Sequence, residues 1–202
     1  MYYKKYDTIP KLSYDLKLAC IELAENNLKI KVPLDQWFSR LETTDKTSIA
    51  YIELEEDLTK FSNNAGGVGF YCLPADLNKQ ICDFYNDINN PNIKFNQYFI
   101  QVVTGGNFVA PHTDGEDYRS AGFLYLLKSG GTNVRTRWYE IKEEYKNNNL
   151  TPYAMIPYSR LNLIEDHILE EDCWHWLNFS KIHSVENQEN LRIALWGTTV
   201  TR

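Results

Sequence analysis

The 202-residue chain contains no run of about 18 consecutive apolar residues, which excludes a helical membrane span of ordinary length. Its cysteines are few and scattered: Cys20, Cys72, Cys82 and Cys173 form no CxxC pair. With no secretory leader readable either, free thiols in a reducing, cytoplasmic compartment are the expectation. Positive charge is also short. Lys plus Arg number 21 against 27 Asp plus Glu, giving a formal charge of −6. Binding to a phosphate backbone depends on clustered Lys and Arg, so composition disfavours nucleic acid as a partner, although a local basic patch remains compatible with that average. The GGVG stretch at 66–69 lacks the GK[ST] of a phosphate loop and the rest of a dinucleotide fingerprint. There is no internal repeat and no readable Ser-His-Asp set.

Aromatic residues, by contrast, are plentiful, with 14 Tyr, 9 Phe and 5 Trp, a composition that favours strands. The length suits a single domain over 1–202 with one substantial core. Residues 13–28 place Leu16, Leu18, Ala19, Ile21, Leu23 and Ala24 near helical spacing behind Ser13, a good N-terminal cap. Pro33 starts a shorter helical stretch. IAYIEL (49–54) reads as a strand, and the glycine-rich 63–73 as a loop entering another. Pro74-Ala75-Asp76 opens a second helix carrying Leu77, Ile81, Phe84, Tyr85 and Ile88, and 86–92 is a turn. Beyond it come short apolar-aromatic runs, several of them separated by GG, SGG, NNN and ENQEN. Many short strands without long helices between them predict a double-sheet jelly roll over 93–202. The expected class is therefore α+β, with 1–92 supplying helical support and extra strands on one sheet.

Only four histidines are present: His112, His167, His175 and His183. His112 lies in PHTDG with Asp114 two residues on. Alone this pair means little, since one HxD or HxE among four histidines is close to what chance supplies, and TDGED also reads as a turn. Its weight comes from company. Ligands separated by one residue can point to one side of an extended chain, and a third from a distant strand completes one face of an octahedron. The opposite face is then free for a bidentate co-substrate and O2, which suits non-haem Fe(II). His183, in WLNFSKIHSVEN, is the best third ligand. Nine residues later, NLRIALWG places Arg192, Ala194 and Trp196 on one face of a strand and Leu191, Ile193 and Leu195 on the other. An arginine inside a barrel needs an anion, and the distal carboxylate of a dicarboxylic co-substrate fits a guanidinium fork. A surface salt bridge from Arg192 to Glu186 or Glu189 is the plainer alternative.

The order PHTD, GFLYLLKSGGTNV, WLNFSKIHSVEN and then LR resembles the Fe(II)/2-oxoglutarate-dependent dioxygenase superfamily over about residues 95–200. The C-terminal part is most similar to its aspartyl/asparaginyl β-hydroxylase-like branch, and GG before Thr132 is similar to prolyl-hydroxylase-like members. The resemblance implies a double-stranded β-helix. It also implies Fe(II) held by His112, Asp114 and His183, and 2-oxoglutarate whose C5 carboxylate meets Arg192. Many prolyl-hydroxylase-like members have Lys there. The implied activity is oxygenation of a C–H bond in a peptide side chain or small metabolite, with O2 consumed and succinate and CO2 as co-products. Asp114 favours hydroxylation over the related halogenation, which needs that ligand position vacated.

Secondary candidates follow from position. Gln101 and Tyr125, on strands flanking the HxD, are expected to reach the co-substrate by hydrogen bonding, with sheet packing as the alternative. Arg119, Arg135, Arg137 and Trp138 are candidates for recognising an anionic or planar substrate group. Cys173, His175 and His183 offer a competing set suited to zinc, though no fourth ligand suggests itself; His167 reads as an exposed loop or short-helix residue. Two rival functions remain open. One is a cupin-like metal hydrolase or isomerase using the same ligands without 2-oxoglutarate. The other is a non-catalytic jelly-roll binding module.

Overall fold

A computed structural model describes residues 1–27, 49, 52–53, 56, 68–86, 95, 97–106, 108–114, 121–146 and 155–198. Strand β1 (Tyr3–Tyr6) leads into helix α1 (Tyr14–Asn26), whose start is fixed by the Ser13 side chain accepting from the Leu16 N–H. A cap of this kind is worth about 1 kcal/mol. The helix buries Leu16, Cys20 and Ala24, residues four apart that form one stripe. Strand β2 (Val68–Cys72) and helix α2 (Ala75–Asn86) follow. Then come β3 (Gln97–Val103), β4 (Val109–His112), β5 (Ala121–Ser129), β6 (Arg135–Ile141), β7 (Leu161–His167), β8 (Trp174–Asn178), β9 (Ile182–Glu186) and β10 (Arg192–Thr198). No helix among the described residues is long and apolar enough to cross a membrane.

The strands form two antiparallel sheets. One has six strands in the order β1-β8-β5-β10-β3-β2, the other four in the order β4-β9-β6-β7. From β3 to β10 the chain alternates between the sheets, except at the β6–β7 pair. This is an α+β architecture consistent with a jelly roll. Period-two alternation sorts the side chains of the six-stranded sheet. Tyr98, Ile100, Val102, Tyr125, Leu127, Trp174, Ile193 and Leu195 pack under α1 and α2 against Cys20, Ile81 and Tyr85. Leu124, Leu126, Leu177 and Ala194 face the other way and meet Trp138 of the four-stranded sheet. Trp174 is fully buried with its indole N–H donating to the Tyr85 hydroxyl at 2.7 Å. Truncating such a residue to Ala costs roughly 3–5 kcal/mol. All four cysteines are free thiols, and burial pushes that of Cys20 up to about 12.

Two expectations need correction. Ile49, Ile52, Glu53 and Glu56 are helical, not extended; the Ala, Leu and Glu residues that interleave and follow the two isoleucines in IAYIELEEDL are strong helix formers and outweigh the strand preference of isoleucine. His167 is part of β7, half-buried, rather than in a loop or short helix. His183 lies on β9, separated from β8 by a turn in which Asn178 Oδ1 accepts from the backbone N–H and hydroxyl of Ser180. Of the turn expected at 86–92, Asn86 closes helix α2 instead and the rest lies outside the described residues, as do the stretch opened by Pro33 and Arg119.

Candidate metal centre

Neighbouring strands bring the triad together. In the β4–β9 ladder His112 pairs directly with His183, and their rings lie 4.5 Å apart. Asp114 follows two residues after His112, its backbone N–H donating to Phe179 O at 3.0 Å. Asp114 Oδ1 is then 3.3 Å from His112 Nε2. Candidate ligand atoms of all three residues lie within 4.8 Å of one another, the one such group of three or more among the described residues.

Tautomers follow from the hydrogen bonds. His112 Nδ1 is 2.7 Å from Ala110 O, and His183 Nδ1 is 2.9 Å from Lys181 O. A carbonyl only accepts, so each Nδ1 carries the proton and donates, leaving Nε2 as a lone pair. Burial, reinforced by the neighbouring His112, lowers the His183 pKa to about 4, against opposing pulls from Asp114 and the Lys181 carbonyl. That ring is neutral at physiological pH, the form a metal requires. Two imidazole Nε2 atoms and one carboxylate oxygen make a facial N2O donor set.

Aromatic rings flank the His183 side of the centre. Phe179 packs 4.9 Å from the His183 ring and stacks on Trp196 at 4.4 Å. Gly122 makes room for it, since a Cβ there would sit 2.9 Å from the Phe179 ring. Arg192 opens β10 on the same inward side as Ala194 and Trp196. It is only 2% exposed, and burial lowers its pKa to about 10, so it stays charged. Its Nη1 donates to Gln101 Oε1 at 3.0 Å. Among the described residues no carboxylate pairs with it. Glu186, one partner the sequence offered, accepts instead from Arg137 Nη1 at 2.6 Å and from the hydroxyls of Tyr139, Tyr158 and Ser184.

No protein-family model and no curated protein matches the chain. Solved structures do resemble it. Its fold is similar to that of a prolyl-4-hydroxylase from Pseudomonas putida, with TM-score 0.49, 12% identity, and 98% of this chain and 91% of that one covered. It is also similar to Escherichia coli ycfD, with TM-score 0.46 and 13% identity over 100% of this chain and 50% of that one. A third is the viral collagen prolyl hydroxylase vCPH from Paramecium Bursaria Chlorella virus-1, in its 2-oxoglutarate complex, with TM-score 0.43, 13% identity and coverage of 100% and 97%.

Several residues flagged from sequence lie elsewhere. Tyr125 belongs to the helix-facing side, its hydroxyl accepting from Leu12 N–H and donating to Asp172. It therefore points away from the face that carries Gln101 and Arg192. Arg137 pairs in register with Ser184 while Trp138 pairs with His183, so Arg135 and Arg137 lie on the outer face. They meet Asp166 and Glu186 there. Trp138 is buried, its indole N–H on Asn178 O. Cys173 and His175 do not join His183. His175 Nε2–H donates to Glu170 O at 2.8 Å, and Nδ1 accepts from the Tyr3 hydroxyl at 3.2 Å, which uses both nitrogens. Phe179 and Gln188 are not among the candidates read from the sequence. Phe179 had a signal in the N-F-S turn that precedes His183.

Proposed function

We propose that the chain is an Fe(II)/2-oxoglutarate-dependent oxygenase built on a double-stranded β-helix, hydroxylating a C–H bond in a peptide side chain or small metabolite. One observation carries it: a His-Asp-His donor set on one sheet accompanies a buried arginine on the other that meets no carboxylate among the described residues. Taken singly, neither feature selects this chemistry. A buried unpaired charge is costly, and a dicarboxylic co-substrate explains why Arg192 is retained.

The residues fit both groups. His112 Nε2, His183 Nε2 and Asp114 would hold the metal, with Ala110 O and Lys181 O fixing the two tautomers. Arg192, oriented by Gln101, would take the distal carboxylate of 2-oxoglutarate. When bound, the metal and co-substrate supply O2 activation and oxidative decarboxylation to succinate and CO2. The chain's own part is placement and dryness. Phe179 and Trp196 screen His183 from water, and the Phe179 carbonyl holds Asp114 through its backbone.

The test is anaerobic titration of the purified protein with Fe(II) and then 2-oxoglutarate, followed by visible absorption. A weak charge-transfer band in the green supports the reading. A folded, iron-loaded sample that gives no band and does not bind 2-oxoglutarate refutes it. Iron binding without 2-oxoglutarate binding is the behaviour of a cupin-like hydrolase or isomerase instead.

A further inference from the structure

Arg192 is held by an amide where a carboxylate would give the stronger bond. Gln101 pairs with Ala194 across the β3–β10 ladder, and Val103 pairs with Arg192. Position 101 therefore shares the inward face with Arg192, and its oxygen reaches Nη1 at 3.0 Å. Both side chains are buried, at 5% and 2% exposure. On the other side, the stem is backed by Gly130, where an added Cβ would lie 2.8 Å from that of Arg192. Stem and head are thus both fixed before any ligand arrives, which lowers the ordering cost of binding. A glutamate at 101 would have the same shape and would close an internal ion pair. The site would then be neutral and self-satisfied.

We propose that Gln101 is a positioning residue that orients Arg192 while leaving its charge uncompensated, and that its neutrality makes this end of the sandwich receptive to a carboxylate. This rests on the oxygenase reading for the identity of the carboxylate, 2-oxoglutarate. It differs from direct contact between Gln101 and the co-substrate, because the decisive property is the charge at 101 rather than a bond to ligand.

Calorimetry on the Mn(II)-loaded protein under nitrogen, titrated with 2-oxoglutarate, tests it in wild type, Gln101→Leu, Gln101→Glu and Arg192→Leu. Leu removes one hydrogen bond and leaves the charge, for an expected loss of roughly 5- to 10-fold in affinity. Glu neutralises the arginine and is expected to cost about 100-fold or more, as does Arg192→Leu. Mn(II) affinity, measured separately, stays within about threefold throughout. The metal-free Gln101→Glu protein melts above wild type because its arginine is paired. A merely structural role predicts the reverse order, with Leu at least as damaging as Glu and Glu melting no higher. Either result overturns the proposal, as does a Gln101→Glu protein that binds 2-oxoglutarate like wild type. If Gln101→Glu does not fold, the comparison of Gln101→Leu with Arg192→Leu decides: equal losses overturn the proposal, and a loss at least tenfold smaller in Gln101→Leu supports it. Should metal-loaded wild type take up no 2-oxoglutarate, the co-substrate reading fails and this inference with it. Failure of Gln101→Glu to weaken a wild type that does bind removes only the role of Gln101.

Discussion

Arg192 shows at the scale of one residue how function and stability oppose each other. Among the described residues its buried guanidinium makes one 3.0 Å bond, to a neutral acceptor, and a buried charge without a counter-ion carries a desolvation cost that an apolar side chain of similar volume does not. Arg192→Met should therefore raise the melting temperature of the ligand-free protein by roughly 4–8 °C, taking about 2 kcal/mol as the gain, while abolishing stabilisation by 2-oxoglutarate. A lower melting temperature in differential scanning calorimetry would mean that the arginine is satisfied without a ligand. Gln188 gives a parallel case. It is 4% exposed, and among the described residues neither its carboxamide oxygen nor its nitrogen has a hydrogen-bond partner. An unpaired buried amide costs about 1–3 kcal/mol, so Gln188→Leu is expected to leave stability unchanged or raise it, read from urea denaturation. A loss of more than about 2 kcal/mol would show that the amide is satisfied.

At the scale of elements, the turn after β5 supports the start of β10. Gly130 has φ of +83°, and its carbonyl accepts from the Glu189 and Asn190 N–H groups. Gly130→Ala meets both the left-handed backbone penalty and the clash with Arg192. It is expected to lower stability by about 1–3 kcal/mol and to weaken 2-oxoglutarate binding more than metal binding, by calorimetry. Strand β8 carries a pH-dependent contribution. Burial lowers the pKa of His175, aided by the charges of Arg192 and Lys5 and opposed by its bond to the Glu170 carbonyl and by that residue's charge. In the unfolded chain the ring titrates near 6.5. Between that value and the lower folded one the unfolded state binds more protons. The stabilisation is therefore complete above about pH 6.5 and shrinks as pH falls through that window, by about 1.4 kcal/mol per unit of separation. His175→Gln should flatten the melting-temperature profile from about pH 6.5 to 5 relative to wild type; parallel profiles would contradict this. The His183 contribution is common to both proteins and cancels.

These elements also show what could be read beforehand. The alternation of β10, with Arg192, Ala194 and Trp196 inward and Ile193 and Leu195 toward the helices, follows from period two and a buried charge. Period two states that a strand has two faces and not which one meets the site, so Tyr125 was placed on the wrong one. Strand β1, YKKY, carries two lysines and no apolar alternation. It sits at a sheet edge, where lysines are favoured and hydrophobic pattern is weak. The His112–His183 pairing is a matter of register between strands some seventy residues apart, which local sequence does not encode.

Over the whole molecule, the two halves of the proposed site come from different sheets. The four-stranded sheet and the residues just after β4 hold His112, Asp114 and His183, and the six-stranded sheet holds Gln101 and Arg192. A co-substrate that meets the metal at one end and Arg192 at the other would therefore span the sandwich. Its binding and that of the metal must then be linked, each strengthening the other by the same factor. Mn(II) alone engages only one sheet, and 2-oxoglutarate alone has only the arginine end. With Mn(II) saturating, 2-oxoglutarate at 100 times its Kd is expected to add about 2.7 kcal/mol, roughly 5–10 °C of melting temperature, and at the same concentration without metal, little. In Asp114→Ala both shifts should disappear together, because the metal is lost first. In Arg192→Met the metal shift should persist while the second shift vanishes. Strictly additive shifts in wild type would mean that metal and 2-oxoglutarate bind at separate places, with neither bridging the sheets. Linked shifts that divide in this way between the two variants are what a single site assembled across both sheets requires.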